Sequence, residues 1–136
     1  MSEKQNKWVE AITKLIKQTQ EGRIKWLPGK HDKESGRDDL RIESVFITNY
    51  KNKTLRLYKY SYKVEVPGLF DNIANVYSNM TRKYPYWTSS IALEFISDDG
   101  KSLWTFPDTN ALNDLLGAVR YQVAGVDEFL DDILQE

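Results

Sequence analysis

The side chains that could carry acid–base or metal chemistry are few in this sequence, and His31 is its only histidine. It precedes Asp32 in a stretch from residue 30 to residue 39 that contains no apolar side chain. A general base needs a fixed geometry and an orienting partner, and a metal site needs several further ligands. We therefore expect His31 to lie in an exposed loop, in contact with water, and to be neither catalytic nor metal-binding.

Two pairs of adjacent carboxylates, Asp98-Asp99 and Asp131-Asp132, are the other candidates for acid–base catalysis. Neighbours on a turn or a helix diverge in space, whereas catalysis by a carboxylate pair needs both groups to converge in a cleft. We interpret the first pair as turn residues and the second as part of a solvated helix face.

The motif content points the same way. The sequence has no cysteine, no glycine-rich phosphate loop and no G-x-S-x-G motif, which excludes thiol chemistry and two common types of catalytic site. The sequence thus predicts no enzyme, no catalytic residue, no cofactor and no metal ligand. A small-ligand-binding protein, or an enzyme with an unrecognised pocket between sheet and helices, is the alternative.

A strand with alternating tyrosines is the candidate surface for nucleic acid. Tyrosines stacked beside cations can bind the bases and phosphates of a single strand. Tyrosine also has a high strand propensity and often covers a partly buried sheet face with its hydroxyl in water. The candidate nucleic-acid-binding residues are Arg56, Tyr58, Lys59, Tyr60 and Tyr62.

Two further segments are candidate surfaces for a protein partner. The aromatic segment 84–87 contains Pro85, which favours a loop; exposed, it would anchor a partner, and buried, it would cover the core. The last predicted helix, after Gly125, is apolar on one side and acidic on the other, so it either docks in a partner's groove or, as the preferred reading, closes the edge of its own sheet. The candidate partner-binding residues are Tyr84, Tyr86, Trp87, Phe129, Asp131 and Asp132.

Length and composition are those of one globular domain over residues 1–136, with 40% hydrophobic and 29% charged residues. No apolar run approaches ~18 residues and the N-terminus is polar, so we expect no membrane segment and a cytoplasmic location. Residues 1–63 hold 15 basic and 8 acidic side chains, whereas residues 64–136 hold 4 and 12. This asymmetry fits a nucleic-acid face, two complementary surfaces within a dimer, or solvated helix faces.

The element that organises the predicted fold is the stretch from Ile91 to Val123. Asp99-Gly100 predicts a two-residue hairpin loop, which would place Phe95 opposite Trp104. Leu93 would then lie opposite Phe106, and the apolar stripe of a helix from Ala111 to Val123 would cover this face.

The rest of the chain predicts a helix over Glu3–Glu21 and a second hairpin, Val45–Tyr50 with Thr54–Val66. Leu69–Met80 suits either a helix or a strand, and helix is the preferred reading. The prediction is an α+β fold: an antiparallel sheet of about five strands in two hairpins, with the N-terminal and C-terminal helices packed on one face.

Two resemblances add to this reading. The segments LWTFP at 103–107 and AVRYQVAGVDEFLDDIL at 118–134 resemble a C-terminal signature of small bacterial proteins with no assigned activity, which implies a bacterial, cytosolic protein. The predicted order of helices and strands is similar to that of dimeric type III secretion chaperones, which bind partner chains. We therefore expect a non-enzymatic protein-interaction module that binds a protein partner or a second copy of itself in a homodimer, without membrane or metal. Single-stranded nucleic-acid binding is an alternative, beside the small-ligand-binding protein or enzyme named above.

Overall fold

The computed structural model describes residues 3–31, 38–64 and 86–136. The expected helix or strand over Leu69–Met80 and the candidate residue Tyr84 lie outside these residues. The elements, in chain order, are α1 (Glu3–Gln20), β1 (Leu27–Pro28), β2 (Leu40–Tyr50), β3 (Lys53–Val64), β4 (Tyr86–Ile96), β5 (Ser102–Thr105), α2 (Ala111–Val123) and α3 (Val126–Leu134).

The described strands form one antiparallel sheet in the order β1-β2-β3-β4-β5. Together with the N-terminal helix and the two C-terminal helices, this sheet confirms the predicted α+β class. The β2–β3 hairpin turns through Lys51 and Asn52, with φ of 53° and 65°. Positive φ at both central residues is typical of the tight turn whose twist matches that of the flanking strands.

The β4–β5 hairpin closes differently from the prediction. Phe95 does pair with Trp104, but the loop has three residues, because Ser97 and Lys101 are joined by a hydrogen bond from the Ser97 N–H to the Lys101 carbonyl of 2.9 Å. The predicted two-residue loop is therefore wrong. Gly100 takes φ of 86°, as in a turn that ends in a left-handed residue, and a register shift beside Phe95 leaves Leu103 without a pairing partner on β4.

The core lies between one face of the sheet and the helices. The sheet supplies Leu55, Leu57 and Leu93, and α1 packs against α2 above them. Each such side chain, fully buried, contributes about 1.5–3 kcal/mol relative to its exposed form. The remaining members of the core are Ile12, Leu15, Ile24, Trp26, Leu112, Leu115, Leu116 and Val119.

The junction between α2 and α3 fixes the direction of the last helix. Gly125 has φ of 71°, a left-handed conformation that glycine adopts without steric cost. Its N–H donates to the carbonyl of Gln122 at 3.1 Å, which ends α2 and confirms the predicted break. The chain therefore changes direction at Gly125, and α3 starts at the next residue.

Candidate protein-binding surface

The apolar side of α3 is exposed. Phe129, Leu130, Ile133 and Leu134 retain 62%, 43%, 46% and 80% of their accessible surface, and no residue of the helix is buried. Their spacing places them on one side of a helix. The prediction that this stripe closes the edge of its own sheet is wrong, because all four of its side chains are exposed.

The opposite side of α3 is acidic. The helix carries Asp127, Glu128, Asp131 and Asp132 in nine residues and has no basic residue. The hydroxyl of Tyr121 donates to Asp127 Oδ1 at 2.6 Å. This hydrogen bond, helped by partial burial and by the neighbouring carboxylates, raises the pKa of Tyr121 above its ordinary value. The Tyr121 phenol therefore stays neutral beside a strongly negative helix.

A network around Gln122 ties α2 to the segment that leads into β1. Gln122 Oε1 accepts from the Trp26 N–H at 2.8 Å, and Gln122 Nε2 donates to the carbonyls of Thr19 and Ile24 at 2.9 and 2.7 Å. One amide thus makes hydrogen bonds to three backbone groups; the Thr19 carbonyl also accepts from the Gly22 N–H at 3.1 Å. This network sets the distance between α2 and the sheet edge, and it was not predicted; the only signal in the sequence is a polar residue beside the apolar stripe of α2.

An open cleft of about 730 Å³ lies between the end of α1, β1 and the α2–α3 junction. Trp26, Leu27, Tyr121 and Asp127 are among the residues that line it. Its size falls in the range of ligand pockets, but the cleft is half open to solvent, and its walls are the start of α3 and the exposed edge of the sheet. The cleft therefore lies between the acidic start of α3 and a second exposed surface, at the edge of the sheet.

The second of these surfaces is a basic, apolar groove, which we call the β1 groove. It has a volume of about 570 Å³, and Arg23, Lys25, Leu27, Pro28 and Ile47 are among its lining residues. No carboxylate is among the described residues that line it. Leu27 is 69% exposed, so the groove presents an uncovered apolar side chain beside two cations.

The other face of the sheet holds a buried charged cluster. Arg56 Nε donates to Glu94 Oε1 at 2.7 Å, and Arg56 Nη1 donates to the Gly100 carbonyl at 3.0 Å. Both side chains are almost fully buried. His31 Nε2 lies 3.9 Å from Glu94 Oε1, and the His31 ring packs edge-on against Tyr58 with centroids 4.6 Å apart.

This cluster overturns the expectation for His31. The side chain is 6% exposed, so the predicted water-exposed loop histidine is wrong: the ring packs against Tyr58 and lies beside Glu94. None of His31, Arg56 and Glu94 lines either cleft described above. Among the described residues, no group of three or more His, Asp or Glu is placed to hold a metal ion.

The candidate nucleic-acid residues are only partly brought together. Tyr58, Tyr60 and Tyr62 form a ladder on one face of β3, with successive centroids 5.7 and 5.8 Å apart. Alternation along the strand places Lys59 on the opposite face, and Arg56 is buried against Glu94. The structure thus assembles the aromatic part of that surface and places Lys59 away from it, whereas Arg56 stays beside it, with its guanidinium carbon 5.9 Å from the Tyr58 ring centroid, but is engaged by Glu94.

Of the aromatic segment, Tyr86 and Trp87 are described. Both are exposed, and both belong to β4, where Trp87 pairs with Lys63. The loop expected at these two positions is therefore wrong, because β4 includes both of them. The guanidinium of Arg41 lies 4.1 Å from the Trp87 ring centroid, so one face of the indole already has a partner.

Within the described residues, no helix is long and apolar enough to cross a membrane. Comparison with known proteins identifies no relative: the chain matches no protein-family model, no curated protein and no solved structure.

Proposed function

We propose that this chain is a non-enzymatic protein-interaction module whose contact surface is the apolar side of α3. The observation that carries the proposal is that Phe129, Leu130, Ile133 and Leu134 are exposed together on a helix with no buried residue. A contiguous exposed apolar patch with a polar surround is typical of a protein contact. The resemblance of residues 103–134 to small bacterial proteins supports a bacterial, cytoplasmic setting for this module.

The spacing on α3 fits recognition of a helix by a groove. Phe129 with Ile133, and Leu130 with Leu134, are pairs four residues apart, which places each pair along one line of the helix surface. Fully burying one such side chain contributes about 1.5–3 kcal/mol. Four partly exposed side chains therefore hold enough apolar surface to support a specific complex after the cost of association is met.

The charges on α3 define the chemistry of the partner. Four carboxylates and no cation surround the apolar stripe. A partner with carboxylates at the rim would be repelled, whereas lysine or arginine at the rim would favour docking and speed the encounter. The proposed partner surface is therefore an apolar groove with basic side chains along its edges.

The test compares affinities for a partner isolated with the wild-type chain. The variant Phe129→Ser/Leu134→Ser removes apolar surface from α3, and Leu103→Ser is the matched control, because Leu103 is 66% exposed on β5. We expect the purified partner to bind the α3 variant at least about tenfold more weakly, a loss of about 1.4 kcal/mol, and the control as tightly as wild type. Equal affinity for the α3 variant and wild type would refute the proposal.

A further inference from the structure

We infer that the partner of α3 is a second copy of this chain, with α3 of each copy docked in the β1 groove of the other. This inference rests on the function proposed above and names the occupant of the same surface. It starts from two exposed surfaces of opposite charge on one molecule: the acidic, apolar α3 and the β1 groove with Arg23 and Lys25.

The two surfaces match in chemistry. α3 offers Phe129 and Ile133 with carboxylates on both sides, and the groove offers Leu27 and Ile47 with cations at its rim. The Arg23 side chain is 73% exposed, and its contact with Glu21, 3.5 Å long, is a solvent-exposed pair. Such pairs contribute little, so Arg23 can exchange Glu21 for a carboxylate of a second copy at small cost.

The position of the two surfaces suits a twofold axis. Asp127 and Glu128, at the start of α3, line the same cleft of about 730 Å³ as Leu27, so the acidic side of α3 lies next to the groove on each copy. In a dimer with twofold symmetry, the same patch of both subunits forms the interface. Because α3 and the β1 groove both belong to that patch, the contact between α3 of one copy and the groove of the other occurs twice. The interface then contains two docked helices and two filled grooves. It buries about twice the area of a single docked helix, which brings it toward the ~1,000 Å² that a specific contact needs.

Charge also selects this arrangement over direct pairing of α3 with α3. Two copies of α3 in contact would bring eight carboxylates together without a cation, because each helix carries four. Like charges across an interface oppose association. Docking of α3 in the β1 groove places Asp131 and Asp132 near Arg23 and Lys25 instead, and it gives the opposite net charges of residues 1–63 and 64–136 a role.

A charge exchange tests the inference. One variant reverses the groove, Arg23→Glu/Lys25→Glu, and a second reverses the helix, Asp131→Lys/Asp132→Lys. All four positions are exposed, so both variants should fold, which circular dichroism verifies. Sedimentation equilibrium measures the mass of each protein alone and of their equimolar mixture, against the monomer mass of 15.9 kDa.

We expect wild type to form a concentration-dependent dimer and each variant alone to dimerise at least about tenfold more weakly. The mixture should restore dimerisation, because each interface half then joins opposite charges. A wild-type protein that stays monomeric, variants that dimerise like wild type, or a mixture that fails to recover would each overturn the inference. The proposed function is tested separately. If the chain does not dimerise but the Phe129→Ser/Leu134→Ser variant binds a different protein more weakly than wild type does, the dimer inference fails and the proposed function stands.

Discussion

The buried ion pair between Arg56 and Glu94 gives the sharpest test of how this sheet is held. Replacing Arg56 with methionine keeps the length and apolar character of the side chain but removes the guanidinium that donates to Glu94 Oε1 at 2.7 Å. The Glu94 side chain is 3% exposed, so water cannot replace the lost donors. Arg56→Met should therefore leave the buried Glu94 carboxylate without the donors of the guanidinium, and His31 Nε2, at 3.9 Å, is too far away to replace them with a hydrogen bond.

Removing one partner of a buried pair costs about 3–5 kcal/mol. The free energy of unfolding of a domain is about 5–15 kcal/mol, so this single change should remove a large part of it. Because desolvation of both ions offsets most of their attraction, the double variant Arg56→Met/Glu94→Leu should be within about 1 kcal/mol of wild type, or more stable than wild type.

Urea denaturation followed by tryptophan fluorescence measures these free energies of unfolding. The matched control is Lys101→Met, because Lys101 and Asp99 form an exposed pair, 3.8 Å apart, whose loss should cost about 0–1 kcal/mol. A cost below about 1 kcal/mol for Arg56→Met would refute the reasoning, and so would a double variant as unstable as the single one.

Three further predictions concern the core, the β4–β5 turn and the acidic helix. Leu115→Ala should cost about 2–5 kcal/mol of stability because Leu115 is fully buried, whereas Leu134→Ala should change it by less than about 0.5 kcal/mol; urea denaturation at low protein concentration separates the two. Gly100→Ala should cost about 1–2 kcal/mol by the same assay, from backbone strain alone, since φ is +86° and an added Cβ meets nothing within 4 Å. Asp127→Asn should lower the pKa of Tyr121 toward its ordinary value, because a neutral amide replaces the carboxylate that accepts the hydrogen bond of the Tyr121 hydroxyl. The phenolate absorbance of each protein, minus that of its Tyr121→Phe derivative, reports this pKa. Since the folded-state pKa of Tyr121 is raised, its contribution to stability is fully present below pH about 10 and is lost as the pH rises through the folded-state value.

The core was predictable because its pattern is local. Leu55 and Leu57 alternate along one strand, and Leu112, Leu115 and Val119 recur at helical spacing, so each apolar face could be recognised without knowing its partner. The pairing of Phe95 with Trp104 followed from the same alternation. The three-residue loop did not, because a bulge at Leu103 absorbs the extra residue and leaves that pairing unchanged.

The buried charged cluster was not predictable from the sequence, because its members are far apart along the chain. Arg56 and Glu94 are 38 residues apart and meet only because β3 and β4 pair in a particular register. His31 precedes a charge-rich run, residues 32–39, and its burial depends on a contact with Tyr58, 27 positions along the chain. Such contacts come from topology rather than from local sequence pattern.

The candidate protein-binding surface on α3 was predictable only in part. The sequence showed that α3 is amphipathic and acidic, but it allowed docking either on a partner or on the chain's own sheet. That choice depends on the turn at Gly125, with φ of 71°, after which α3 leaves its apolar side exposed. The exposure of Phe129 and Ile133 therefore became evident only from the assembled structure.

Photo-crosslinking in the cell of origin shows whether the apolar side of α3 contacts a protein. A benzophenone amino acid placed at position 129 samples the apolar side of α3, and the same probe at position 103 samples an equally exposed site on β5, since Phe129 and Leu103 are 62% and 66% exposed. We predict a discrete crosslinked protein adduct, at the mass of a second copy or of another partner, from position 129 and not from position 103. Equal adducts from both positions, or none from position 129, would contradict the account.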